Sequence, residues 1–215
     1  MHGLHQVQGF QGAAGEDAEV MSNPIYWGAD PGLTGAICAV EFRNNKPVEA
    51  QFVVPEIEYT YSMSGRRHGR IVIPRILASC RNLARAFPPQ EVVLEKVGAF
   101  PGQGVNAVFS FGFIAGVFET AIASCSTAPI TYLTPRDWKV MLNLTLVDAD
   151  KTEKKKLAIA VANEYVSRNP ILKMPPFRQK EDGKAEAFLL ACCGIPSVVE
   201  EIRVIAKHKN NFGKK

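Results

Sequence analysis

The chain opens with short β-rich apolar runs and then turns to longer stretches with apolar residues at helical spacing. Three runs come first: "PIYWGAD", "AICAVEF" and "VEAQFVV". The turn-formers "PGLTG" and "NNKP" separate them, so three consecutive antiparallel strands are expected. "SMSGRRHGR" (62–70) reads as a polar, basic, Gly-containing loop. "IVIPRILASCRNLARAF" has helical spacing, with Pro74 near its start and "PPQ" as a stop. "EVVLEKV" reads as a central parallel strand, "GAFPGQG" as a loop. "VNAVFSFGFIAGVFETAIAS" reads as a long helix in which Gly112 and Gly116, one turn apart, allow close approach. After a strand "ITYL", "TPRDWKVMLNL" opens a helix with Thr134 as N-cap and Pro135 in the first helical position. "DADKTEKKKLAIAVANEYVS" is an amphipathic helix with a basic outer face, and 169–180 a Pro-rich basic connection. "KEDGKAEAFLLACCG" and "PSVVEEIRVIAKHKNNFGKK" supply the last two helices.

Through the last strand the order is β-β-β-α-β-α-β. That is the order of an RNase H-like α/β fold: a mixed five-stranded sheet, three antiparallel strands and then parallel ones, flanked by helices. A chain of 215 residues suits one such domain, expected over 23–215 with a basic C-terminal tail. Residues 1–22 are rich in Gly, Gln and Ala and carry no apolar stretch of signal-peptide type. They are expected to be a disordered tail, with Met21 as a second candidate start. No run of about 18 apolar residues suggests a membrane span.

Composition excludes little. With 47% hydrophobic and 21% charged residues the chain is an ordinary globular one. A net charge of +4 permits a nucleic-acid partner without demanding it. Five cysteines without a C-x-x-C spacing, and four scattered histidines, argue against a disulfide framework or a zinc site. A reducing, cytoplasm-like compartment is expected.

The candidate chemistry lies in carboxylates. Asp30 ends a strand just before Pro31 and Gly32, where α/β folds bind ligands. Glu95 interrupts an apolar strand at its C-terminal end. Asp182 and Glu186 are four apart, so a helix places them on one face. Alone, each has an ordinary reading: a turn-organising Asp, a solvated strand end, a helix N-cap. Glu186 is out of register for a capping box, which would need Glu or Gln at position 185. Four carboxylates in one cleft would repel unless divalent cations neutralised them, and hard oxygen ligands select Mg²⁺ or Mn²⁺. Two such ions are the apparatus of phosphodiester hydrolysis.

"GADPGLTGA", "LEKVGAFPGQGVNAVFSFGFIAG", "YLTPRDWKVMLNL" and "KEDGKAEAFLLA" together resemble the RuvC-like Holliday junction resolvases, particularly the branch of phages, bacteria and chloroplasts. The similarity covers roughly residues 25–195, and its second and third motifs are the specific ones. The resemblance implies a homodimer that nicks four-way DNA junctions with two Mg²⁺ or Mn²⁺ ions per site, and needs no organic cofactor or membrane. It implies Asp30, Glu95, Asp182 and Glu186 as the metal-binding acids. Glu181 stands where the resemblance leads one to expect His or Asp, so Asp182 is taken as the ligand and Glu181 is its alternative.

Lys184 is a candidate for transition-state stabilisation and Lys180 for phosphate contact. Arg66, Arg67 and Arg70 of the basic loop, Gln103 of the Pro-x-Gln-Gly loop, and Arg136 and Lys139 around Trp138 are further DNA-contact candidates. Phe100 is a candidate wedge at the crossover. Phe109, Phe111 and Phe113 alternate too fast for one helical face, so at least one should be exposed. "KKK" (154–156) reads as a solvated face. Competing readings are another RNase H-like nuclease or transposase core, an actin- or sugar-kinase-like ATPase suggested by "DPGLTGA", and a junction-binding protein with a decayed site. The ATPase would need a second phosphate loop that the chain lacks, and the decayed site a lost acid.

Overall fold

The computed structural model describes residues 23–65, 67–99, 102–146 and 150–212. The expected tail 1–22, Arg66 and Phe100 lie outside the described residues.

The first two β-rich runs form β1 (Ile25–Asp30) and β2 (Ala36–Arg43), joined by the Pro31–Gly35 turn, and the third forms β3 (Lys46–Val53). All three pair antiparallel. After α1 (Ile73–Ala86), β6 (Glu91–Glu95) returns parallel to β1. After α2 (Val105–Ala123), β7 (Ile130–Leu133) pairs parallel to β6. The sheet order β3-β2-β1-β6-β7 is the mixed five-stranded RNase H-like sheet that the element order predicts. The chain ends in α3 (Pro135–Met141), α4 (Lys151–Ser167), α5 (Asp182–Cys192) and α6 (Pro196–Phe212).

Strand alternation divides the core between the two faces of the sheet. Ala36, Cys38, Val40 and Phe42 of β2 pack with Trp138 and the buried faces of α4, α5 and α6. Ile37 and Ala39, with Trp27 and Ala29 of β1, pack against α1 and α2. Thr134 caps α3 as expected, accepting from the Asp137 amide at 3.2 Å.

Two expectations need correction. The segment read as a loop over 62–70 is half strand: β4 (Ile57–Tyr61) and β5 (Arg67–Ile71) form a separate antiparallel hairpin. Its core-facing signal is weak, because only the Ile57–Ile71 pair at its base reaches the apolar interior. In addition, α2 is long and apolar enough to cross a membrane, with a mean hydropathy of 1.6. One side of it packs on the sheet through Ile114, Val117, Phe118, Ala121 and Ile122.

A carboxylate cleft as the candidate active site

Asp30 is the last residue of β1 and Glu95 the last of β6. The strands run parallel with Ala29 beside Leu94, so the two acids are neighbours at the same sheet edge. β1 ends there because Pro31 lacks the N–H that would continue the ladder, and β6 makes one more bond to β7, from the Lys96 N–H to the Leu133 carbonyl at 2.8 Å, before the chain turns away.

Glu186 reaches this edge from α5, which lies directly on β1. A Cβ added to Gly28 would stand 2.0 Å from the Ala187 carbonyl oxygen and 2.2 Å from the Ala191 nitrogen. One added to Gly183 would stand 2.1 Å from the carbonyl oxygen of Thr34. Helix and strand backbones touch because both positions lack a side chain. That contact lays the first turns of α5 over the Asp30 turn. One carboxylate oxygen each from Asp30, Glu95 and Glu186 then lies within 4.8 Å of the others.

The cluster is electrostatically costly. Burial, and then the carboxylates of Glu186 and Glu95, holds the Asp30 carboxyl well above the usual carboxylate range. Burial also raises Glu186, while Lys139 partly offsets this through an ion pair at 3.1 Å. Such a donor set, all oxygen and short of positive charge, suits a hard divalent cation.

The three acids open onto a cleft of about 650 Å³. Its walls also include Asp182, Lys155, Gln103, Phe111 and Leu33. Asp182 thus shares the cleft with the cluster, but its carboxylate is ion-paired with Lys155. Glu181, the alternative ligand, is engaged elsewhere: it accepts from the Arg178 amide at 2.9 Å and from Lys184 at 2.8 Å, and these bonds hold its carboxyl low.

The structure separates the cationic candidates. Lys139 enters the site, bridging Glu186 and the Trp138 ring, which lies 4.7 Å from its ammonium. Gln103 lines the cleft. Lys184 points to Glu181 and is not part of the cleft wall, so its expected catalytic position is not where the side chain sits. Lys180 and Arg136 are exposed outside the cleft wall, and Arg67 and Arg70 lie on β5. The cation that sequence reasoning missed is Lys155. Local sequence places it in a solvated "KKK" face, and Lys154 and Lys156 are indeed exposed. The available signal was that Lys155 shares one helical stripe with the buried Ala158 and Ala162.

No family model matches the chain, and no curated protein matches it. Among solved structures, the chain is similar to Thermus thermophilus RuvC in complex with Holliday junction substrate. The identity is 15%, the coverage 84% of this chain and 94% of that one, and the TM-score 0.48. It is also similar to the yeast mitochondrial Holliday junction resolvase Ydc2 (13% identity, 91% and 85% covered, TM-score 0.45). A third similar structure is the Fowlpox virus resolvase with substrate Holliday junction DNA (19% identity, 83% and 98% covered, TM-score 0.39).

Proposed function

We propose that this chain is a metal-dependent endonuclease that resolves four-way DNA junctions as a homodimer. The observation that carries the nuclease reading is the convergence of Asp30, Glu95 and Glu186 at one sheet edge. Asp182 in the same cleft is the fourth ligand of that reading, and the motif resemblance supplies the junction as substrate. Two Mg²⁺ or Mn²⁺ ions held by these acids would activate the attacking water and stabilise the leaving 3′ oxygen. The products are 5′-phosphate and 3′-hydroxyl ends.

The chain's own residues prepare the site. The strand ends aim Asp30 and Glu95. The α5 backbone contact sets Glu186 and Asp182 opposite them. Lys139 orients the Glu186 carboxylate and limits the local negative charge through which a phosphate must approach. Lys155 does the same for Asp182.

The dimer is supported by α2. Val105, Phe109, Gly112, Phe113 and Gly116 follow one another at helical spacing on the side away from the sheet. Val105 is 84% and Phe109 76% exposed. A Cβ on either glycine would meet nothing within 4 Å, so this stripe is open to a second copy of the helix. Phe109→Asp is expected to convert a dimer to a monomer in sedimentation velocity while the circular-dichroism spectrum of the folded chain stays the same. A dimer that persists would sink this interface.

The functional reading is tested by offering Mg²⁺- or Mn²⁺-loaded protein equal amounts of four-way junction, flap, duplex and RNA–DNA hybrid. Paired, symmetric nicks in the four-way junction are expected. Preference for the hybrid or flap would favour another RNase H-like nuclease, and no cleavage with either metal would remove the reading.

A further inference from the structure

The β4–β5 hairpin has two unlike faces. The residues directly opposite each other on one face are Ile57 and Ile71, Tyr59 and Gly69, and Tyr61 and Arg67. The first pair is anchored in the interior. Further out, the face becomes aromatic and cationic, with Tyr59 47% and Tyr61 69% exposed. The Arg67 guanidinium lies over the Tyr59 ring at 3.7 Å, and Tyr61 is the direct cross-strand neighbour of Arg67. The other face carries Glu58, Thr60, His68 and Arg70.

The aromatic face is also the one turned to the cleft. A Cβ on Gly69 would stand 3.2 Å from Tyr59 Cε1 and 3.3 Å from Leu33 Cδ1. Leu33 belongs to the Asp30 turn and lines the carboxylate cleft. The bare Gly69 therefore lets the hairpin dock against the wall of the cleft, and the Tyr59–Arg67 stack continues that wall outward.

We propose that this hairpin face is a second nucleic-acid contact surface, which takes an unstacked base of the strand leaving the cleft onto the Tyr59–Arg67–Tyr61 platform. Aromatic rings and a planar guanidinium accept any base face, while the charge of Arg67 favours the adjoining phosphate. The proposal rests on the nuclease reading, because it assumes that a strand passes through the cleft.

The test uses the full chain carrying Asp30→Asn, so that the substrate stays intact. Its partners are a four-way junction bearing 2-aminopurine next to the crossover and a plain duplex. Adding Tyr59→Ala and Tyr61→Ala should weaken junction binding about tenfold or more, the loss expected for one to two stacked bases. It should also abolish the stacking-induced fluorescence change of the 2-aminopurine, while duplex binding stays near its starting value. Phenylalanine at both positions should restore junction binding and the signal. Alanine variants that bind the junction as tightly as the parent, with the same fluorescence change, would overturn the hairpin proposal alone. A parent protein that binds no junction would overturn the nuclease reading and this proposal with it.

Discussion

Asp30→Asn is expected to abolish junction cleavage, by about 10²–10³-fold or more, while making the metal-free protein more heat-resistant. The two effects have one cause. Asp30, Glu95 and Glu186 each present an oxygen within 4.8 Å of the others, and Glu95 and Glu186 are buried. Like charges at that separation, shielded from water, oppose folding. Asparagine keeps the shape and removes one of the charges. It also removes a hard ligand, so added Mg²⁺ or Mn²⁺ should raise the thermal midpoint of the wild type and leave that of the variant nearly unchanged. Glu95→Gln should follow the same pattern, and Glu186→Gln should lose activity with a smaller gain in stability, because Lys139 already offsets part of its charge. Asp182→Asn should lose activity without the gain in stability, because its charge is already compensated by Lys155. Thermal melts with and without metal, beside junction cleavage rates, measure both quantities. A wild type whose midpoint ignores the metal, or an Asp30→Asn variant that still cleaves, would remove the assignment.

The second large effect concerns the contact that builds the site. Gly28→Ala should cost at least about 3 kcal/mol, or prevent folding, because its Cβ would lie 2.0 Å from the Ala187 carbonyl oxygen in the middle of the β1–α5 contact. Both partners are backbone, and no side-chain rotation relieves the overlap. Gly183→Ala meets the Thr34 carbonyl at 2.1 Å, but at the start of the helix, where α5 can tilt away from the turn. Its stability should fall less and its activity more, since tilting carries Asp182 and Glu186 away from Asp30 and Glu95. Denaturant titration and cleavage rates separate the two variants. A Gly183→Ala protein with full activity would mean that the approach of α5 does not set the site.

Several parts of this picture were legible from local sequence. Asp30 and Glu95 stand out because each ends an apolar strand. The sheet order follows from the succession of turns and crossovers. The exposure of Phe109, Phe111 and Phe113 was expected for at least one ring and holds for all three. Lysines near the last motif were harder to place. Lys184 and Lys180 flank the acids in sequence, yet Lys184 turns back on the helix to pair with Glu181, and Lys180 lies in the turn before α5, exposed outside the cleft wall. Lys155, 27 positions from Asp182, enters the site because α4 packs against α5. The 62–70 segment reads as loop although it holds most of β5, because strand periodicity reports burial and most of the hairpin's residues bury nothing.

Local pattern thus specifies the five strands of the main sheet, the six helices and the acids at the strand ends, since these depend on alternation, turn residues and isolated charges in apolar runs. Which charges meet depends on packing between distant elements. Gly28 and Gly183 bring α5 onto β1, Lys139 and Lys155 rather than Lys184 reach the carboxylates of the cleft, and the hairpin lies against Leu33. Those outcomes depend on contacts between residues far apart in the chain, which local pattern does not encode.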